Sequence, residues 1–483
     1  MEESINYAEL GMKAGLEIHQ QLNTNKLFCN CPSLLRQDEP SIIIKRRLHA
    51  VAGESGEIDE AAKHEVKKDK EFIYQSYDTT CLLELDEEPP HKINRDALNI
   101  VLHITLLLNA KILPVSQIMR KTVIDGSNTS GFQRTVLIAK DGYLDTKNGR
   151  VKIESICLEE DAARIIEKKD KNVIYRLDRL GIPLIEITTS PDIKTPEQAR
   201  EVALHLGDIL RSCNVKRGLG TIRQDVNVSI KKGSRTEIKG VQDPDLIVKT
   251  INSEIKRQLG LIKQSKPVKS EVRNAIITGE TEFLRPMPGA ARMYPETDLP
   301  LLKISREMIN EAKKTLPRLK RDIEEELMHK GLNHEMIKLL FNEGMLYEFE
   351  ALLKIYDNPN FIVKVLILWR NEIANREKLS ERQIQERLST DIIESIITEV
   401  AKNKLKEDSV KSVMTELARG KPLGEAVKSL DNKDVGSVEE KILRIIKEKP
   451  GLSENAYMGL VMKEFNGKIS GKDAIEMIKR LMK

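Results

Sequence analysis

Met12-Lys13-Ala14-Gly15-Leu16-Glu17-Ile18-His19 alternates without a break: Met12, Ala14, Leu16 and Ile18 are apolar, and Lys13, Gly15, Glu17 and His19 are not. Period two is the pattern of a β-strand, whose successive side chains point to opposite faces. Glu17 and His19 therefore stand side by side on the polar face. A carboxylate beside an imidazole is half of a metal site or an acid–base pair. On two residues alone the plain alternative, a solvated strand face, is the commoner explanation.

Further carboxylates strengthen the first reading. In Ile156-Cys157-Leu158-Glu159-Glu160-Asp161 an apolar strand runs out into three consecutive acids, which repel one another unless a cation or solvent relieves them. Leu184-Ile185-Glu186-Ile187-Thr188 sets one carboxylate inside an apolar run. Such a run suits a strand buried on both faces, where a carboxylate needs a cation, several hydrogen bonds or a proton. Ile222–Ile230 alternates again, with Arg223, Asp225 and Asn227 on one side, and a turn returns the chain with Glu237 and Lys239 on a polar face. That hairpin either lines a cleft for a phosphorylated ligand or faces water. Gly126-Ser127-Asn128-Thr129-Ser130-Gly131 is a polar loop whose amides can cradle an anion, although it lacks the Gly-Lys-Ser/Thr ending of a P-loop.

The chain of 483 residues is long enough for several domains, and 40% apolar residues suffice for real cores. The organisation changes near residue 304. Before it, strands alternate with helices: residues 94–110 capped by Asn94, a helix opened by Thr195-Pro196-Glu197-Gln198 as a capping box, and one from Asp243-Pro244 to Gly260. Gln264–Pro286 reads as a polar, irregular connector. After Ser305 come at least seven helical segments, with apolar faces over Leu332–Tyr356, Phe361–Glu377 and Asp391–Asn403. The last unit opens on a capping box at Ser437-Val438-Glu439-Glu440. Residues 437–483 carry 10 Lys and Arg against 7 Asp and Glu, a mild excess suited to phosphate contacts or to an ordinary helix surface.

No apolar core segment in residues 1–20 and no run of 18 apolar residues argue against a signal peptide and a membrane span. Five cysteines, an odd number, fit a reducing cytoplasm. Zinc at Cys29 and Cys31 is not expected. Cys29-Asn-Cys31 is half of a four-ligand site with no second Cys pair after it, and completing it would take Cys81 or a histidine such as His49 or His64.

Seven long motifs make the chain resemble the GatB/GatE family of tRNA-dependent amidotransferase subunits. They are GLEIHQQLNTNKLFCNCP from Gly15, YDTTCLLELDEEPP from Tyr77, DGSNTSGFQRT from Asp125, LEEDAAR from Leu158, LDRLGIPLIEITTSPD from Leu177, IRQDVNVSI from Ile222 and GAARMYPETDLP from Gly289. Gln20-Gln21, Ile238–Gln242 and Arg292–Asp298 favour the archaeal, E-type branch. The resemblance implies an α+β fold: a mixed α/β catalytic cradle (1–303), an all-helical domain (304–431) and a small YqeY-like tail (432–483). Members of that branch usually carry an aspartyl-tRNA-synthetase-like insertion after the cradle, where this chain has only the stretch around Gln264–Thr281; either the short form is natural or the insertion has been removed.

The resemblance further implies ATP-dependent transamidation of Glu-tRNA(Gln). The glutamyl γ-carboxylate is phosphorylated and ammonia then displaces the phosphate. His19, Glu159 and Glu186 match the family's essential residues and, with Glu17 and Glu160, are the expected Mg²⁺ shell; Glu237 ranks below them. Arg223, Lys239, Ser127 and Ser130 are expected at ATP, the first two on chemistry alone. The sequence shows no amidase Ser-Lys arrangement and no asparaginase-type Thr pair. Ammonia is therefore expected from a GatD-type, asparaginase-like glutaminase partner, with tRNA(Gln) as the other partner and a homodimer inside a heterotetramer. Two alternatives stay open: a GatB-like subunit of a GatCAB complex acting on Glu-tRNA(Gln) and Asp-tRNA(Asn), and a non-catalytic tRNA-binding subunit.

Overall fold

The computed structural model describes residues 5–47, 70–123, 125–169, 171–287, 293–431, 435–465 and 470–482, of which 428–431 and 435–440 are described as backbone. The chain divides into two compact units, Met1–Lys320 and Arg321–Lys483. His49 and His64 lie outside the described residues.

The strands of the first unit are β1 (Lys13–Gln21), β2 (Ile42–Arg46), β3 (Glu71–Ser76), β4 (Lys111–Ile112), β5 (Val115–Ser116), β6 (Ile118–Thr122), β7 (Phe132–Thr146), β8 (Gly149–Glu160) and β9 (Arg164–Lys168). They continue as β10 (Asn172–Arg176), β11 (Pro183–Thr189), β12 (Ile222–Ser229), β13 (Thr236–Lys239), β14 (Glu271–Ala275), β15 (Thr281–Pro286), β16 (Met293–Pro295) and β17 (Leu302–Lys303). One large sheet runs β15-β14-β13-β12-β1-β11-β8-β7-β6-β16, with β4 attached to β7; β2-β3-β10-β9 form a second, four-stranded sheet, and β17 pairs with β5. The large sheet is antiparallel except where β13 meets β14.

Alternation decides what each face of the large sheet does. Leu16, Ile18, Leu158, Ile185, Ile187 and Val226 are fully buried and belong to one apolar cluster. That cluster also takes in the apolar sides of α1 (Arg95–Leu107), α2 (Pro196–Ser212) and α3 (Pro244–Lys263). Each such burial contributes about 1.5–3 kcal/mol. A slip of one residue in β1 would drive Glu17 and His19 into that core, so the register is strongly specified. The second face of β11 is not covered by helices, as a doubly buried strand would require. Leu184 and Glu186 instead line a cavity.

The helix starts follow their caps. Asn94 accepts from the Ala97 N–H, Thr195 from Gln198 and Asp243 from Asp245. α3 passes Gly260 and ends at Lys263, because Ile262 still packs on the core. The expected connector contains the β14–β15 hairpin. Its strands sit at the sheet's edge and are polar, as edges commonly are, so they carry little apolar alternation; Val272 is their one fully buried residue. Helix α4 (Arg306–Lys314) still belongs to the first unit, with Ala312 in its core.

The second unit is helical. Leu332–Tyr356 is split into His334–Glu343 and Leu346–Ile355 by Gly344 in the left-handed region, a conformation glycine adopts without a Cβ clash. A continuous run from Pro359 to Arg376 contains a π-helical stretch, Lys364–Trp369. The last three helices, Val435–Glu448, Glu454–Phe465 and Gly471–Leu481, share a small core of their own around Ile442, Tyr457 and Ile478. The first of them is already under way at Val435, ahead of the expected cap at Ser437. Among the described residues no helix is long and apolar enough to cross a membrane.

Candidate active site

The polar face of the large sheet is assembled from register partners. His19 pairs with Glu186 across β1 and β11 and with Arg223 across β1 and β12; Glu17 pairs with Asp225. Thr135 pairs with Glu159, and Lys121 with Gln133. These strands place Lys121, Gln133, Glu159, Glu186, His19 and Glu17 along one wall of a cavity of about 480 Å³, with Asp161, Arg223, Asp225, Glu237, Lys239 and Arg285 completing it. That volume suits a small-molecule site.

His19 Nε2 lies 3.1 Å from Glu186 Oε2 and 3.7 Å from Glu17 Oε1. Burial opposes the imidazolium, but the hydrogen bond to Glu186 and the charges of Glu186, Glu159 and Glu17 outweigh it and lift His19 above its ordinary value. Burial also works against the Glu186 carboxylate; His19 and Lys121 overcome it and hold Glu186 well below the usual range. Glu17 is pushed up to about 7 by burial and then by the Glu186 charge. Glu159 is raised by the same two causes. Lys121 Nζ bridges Glu159 (3.3 Å) and Glu186 (3.4 Å), and Gln133 donates to Glu159 at 3.0 Å. On the other wall Lys239 Nζ lies 2.8 Å from both Asp225 and Glu237, and Arg223 donates to Asp161 at 2.6 Å.

The structure thus brings Glu17, His19, Glu159, Glu186, Glu237, Arg223, Lys239 and Ser127 to one cavity, and leaves Glu160 and Ser130 out of it. Glu160 has the parity of Ile156 and Leu158 on β8 and so points to the other face. Its carboxylate is buried against the guanidinium of Arg134 at 3.3 Å. Arg134 also binds Glu296 at 2.8 Å, and Arg120 reaches the same Glu296. The MYPETD motif is thereby pinned to β6 and β7 by a buried ion-pair network. Ser130 donates to the Phe132 carbonyl instead. In the Gly126–Gly131 loop the amides of Ser127 and Gly131 are spent on Asp125 and Asn128, while Tyr74 and Tyr175 of the small sheet hold the loop through the carbonyls of Gly126 and Asp125.

Lys121, Gln133 and Arg285 join the cavity without a local pattern that marks them. The first two share the parity that leads to the cavity, but short β6 offers little periodicity to read. Folding also brings to Cys29 and Cys31 the Cys81 named above as able to complete them, together with Glu84, which their spacing does not point to. Their sulfurs, that of Cys81 and a carboxylate oxygen of Glu84 all fall within 4.8 Å of one another. Three sulfurs and a carboxylate are donors zinc accepts. Glu84 already receives the Lys26 ammonium at 2.9 Å and the Cys29 thiol at 3.1 Å, so an incoming ion would have to displace both.

Residues 12–310 match the family model described as the GatB/GatE catalytic domain. The chain belongs to the GatB/GatE family. It is 36% identical to the E subunit of the glutamyl-tRNA(Gln) amidotransferase of Methanocaldococcus jannaschii over 632 aligned positions, covering 99% of each chain. The E subunits of Archaeoglobus fulgidus (34%, 99% of each chain) and Methanosarcina acetivorans (33%, 99% and 98%) are similarly related. An alignment of 632 positions against 483 residues leaves roughly 150 without a counterpart here, so this GatB/GatE member is a short form.

Glu17, His19 and Glu186 bring three donor atoms within 4.8 Å. Two carboxylates and an imidazole suit Mg²⁺ or Mn²⁺ with phosphate and water completing the shell. Lys121, set between Glu159 and Glu186, marks the same place as one built for positive charge.

Proposed function

We propose that this chain is the transamidating subunit of a glutamyl-tRNA(Gln) amidotransferase, and that its cavity phosphorylates the tRNA-linked glutamyl γ-carboxylate with ATP and exchanges the phosphate for ammonia. The observation that carries this is the His19–Glu186–Glu17 cluster on the polar sheet face, flanked by Lys121 and Glu159 on one side and Lys239 and Arg223 on the other.

A carboxylate is a poor electrophile, so activation precedes amidation. A γ-carboxylate oxygen forms a bond to the terminal phosphorus of ATP, the bridging P–O bond breaks, and ADP leaves. Two anions must be held in line for this, which rests on positioning and charge neutralisation. Mg²⁺ held by Glu17, His19 and Glu186 would neutralise phosphoryl oxygens. As a ligand His19 would present its neutral imidazole, so the proton that Glu186 favours on it in the ion-free protein would leave as the metal enters. Lys121 and Lys239 lie within the same cavity. In the second half, the ammonia nitrogen bonds the acyl carbon, the carbon–oxygen bond to phosphate breaks, and the nitrogen sheds one proton. Glu159, raised by burial and the Glu186 charge, is the carboxylate suited to take it.

Ammonia comes from a GatD-type, asparaginase-like glutaminase partner. The curated relatives, named as E subunits, support that reading over a GatCAB assembly. The basic tail helps hold tRNA(Gln). The test is Gln-tRNA(Gln) formation by the purified pair from Glu-tRNA(Gln), glutamine and ATP, with and without Mg²⁺. Product that depends on both ATP and Mg²⁺ supports the proposal; product formed without ATP, or none, ends it.

A further inference from the structure

Of the titratable groups lining the cavity, seven are carboxylates (Glu17, Asp125, Glu159, Asp161, Glu186, Asp225, Glu237) and four are Lys or Arg. Three of those cations are engaged: Lys121 on Glu159 and Glu186, Lys239 on Asp225 and Glu237, Arg223 on Asp161. Arg285 differs. Among the described residues its guanidinium forms no ion pair, and its Nε is shut off from solvent without a hydrogen-bond partner. A buried N–H on a charged group is costly to leave unmet. Arg285 is carried by β15, the edge strand of the hairpin, and falls in register with Val272 of β14, which in turn pairs with Glu237 of β13. The sheet thus extends by two strands to bring this guanidinium to the wall that Glu237 and Lys239 also form.

We infer that Arg285 binds phosphate oxygens of the nucleoside triphosphate in this cavity and is a substrate-binding residue of the phosphorylation step. The inference rests on the reading of the cavity as a phosphoryl-transfer site. A guanidinium offers a planar fork of N–H donors that matches two phosphate oxygens at once, which an ammonium cannot do. The pocket's other cations are bound to its own carboxylates, so an arriving polyphosphate meets Arg285 as the available one. RNA backbone phosphate has the same chemistry, but the place of Arg285 in the cavity lining, on the wall of Glu237 and Lys239, favours the nucleotide.

The test uses the complete complex with its glutaminase, comparing wild type, R285K and R285A, each checked for an unchanged far-ultraviolet spectrum and melting temperature. KM for ATP is measured at saturating Glu-tRNA(Gln), KM for Glu-tRNA(Gln) at saturating ATP, and ADP affinity by displacement of a fluorescent nucleotide. R285A is expected to raise KM for ATP and weaken ADP by about 10- to 100-fold, with KM for Glu-tRNA(Gln) within twofold. R285K is expected to recover part of the loss. An ATP KM within twofold of wild type in R285A overturns the assignment, as does a change confined to the tRNA KM. Wild-type complex that makes no ATP-dependent product would instead remove the phosphoryl-transfer reading, and this assignment with it, whatever the variants do.

Discussion

His19 and Glu186 lie 167 residues apart in the chain and are register partners across two antiparallel strands, with Nε2 3.1 Å from Oε2. In the ion-free protein the contact raises the imidazole's hold on its proton and favours the ionised form of Glu186, so each depends on the other. Replacing either with a neutral group, H19A or E186Q, is expected to lower ATP-dependent Gln-tRNA(Gln) formation at least ~100-fold, the scale seen when a positioned charge-stabilising group is lost. Binding of tRNA should remain. A gel-shift assay alongside the transamidation assay checks both, and unchanged turnover in both variants would favour a non-catalytic, tRNA-binding subunit.

Glu159 and Glu160 are sequence neighbours with opposite tasks, because successive strand residues face opposite ways. E159Q should abolish most activity and leave the melting temperature nearly unchanged. E160Q leaves Arg134 buried with Glu296 as its one remaining carboxylate among the described residues. Breaking one side of a buried pair costs about 3–5 kcal/mol, reduced here by the surviving partner. Urea denaturation of the two variants is expected to separate them cleanly, and equal destabilisation would contradict the opposite-face assignment.

Much of this site was legible in the sequence because strand parity is a strict rule. Met12–His19 alternates visibly, and Glu186 stood out as an acid in an apolar run. The same rule, applied to Ile156, Leu158 and Glu160, already separates Glu160 from Glu159; grouping three adjacent acids by charge concealed it. Arg285 was hidden for a different reason. Edge strands of a sheet need little apolar surface, so β14 and β15 read as a connector, and only the fold shows that they reach the cavity. Cys81 could be named as a partner of Cys29 and Cys31 from ligand chemistry, whereas the approach of Glu84 depends on long-range contacts that local pattern does not encode.

Glu17 gives the ion-free protein a pH dependence. Its folded pKa, about 7, lies above the ordinary glutamate value of 4.5, so between those values the folded state holds a proton that the unfolded state has released. Stability from this source is fully present below pH 4.5, declines as pH rises and is gone above 7, because stability falls with pH wherever the native state binds more protons. The loss is at most about 3 kcal/mol. In EDTA the urea midpoint of the wild type should therefore drop between about pH 5 and 8, and E17Q should flatten that slope. A wild-type slope unaffected by E17Q would show that another group is responsible.

Lys121 supplies a second, independent handle on the same electrostatics. Its ammonium lies between Glu159 and Glu186, carboxylates that raise each other's cost of ionisation. K121M keeps most of the apolar stem and removes the charge, so in EDTA the variant is expected to lose about 2 kcal/mol, the scale of a hydrogen bond to a charged group. A divalent cation bound by Glu186, His19 and Glu17 restores positive charge beside Glu159. Addition of Mg²⁺ should consequently stabilise K121M more than it stabilises the wild type, since a ligand that binds only the folded state raises stability according to its affinity, and the competing ammonium is gone. Thermal melts of both proteins across a Mg²⁺ titration give the comparison directly. Equal Mg²⁺-induced shifts would mean that lysine and metal do not share this carboxylate field, and would move the cation site away from Glu186.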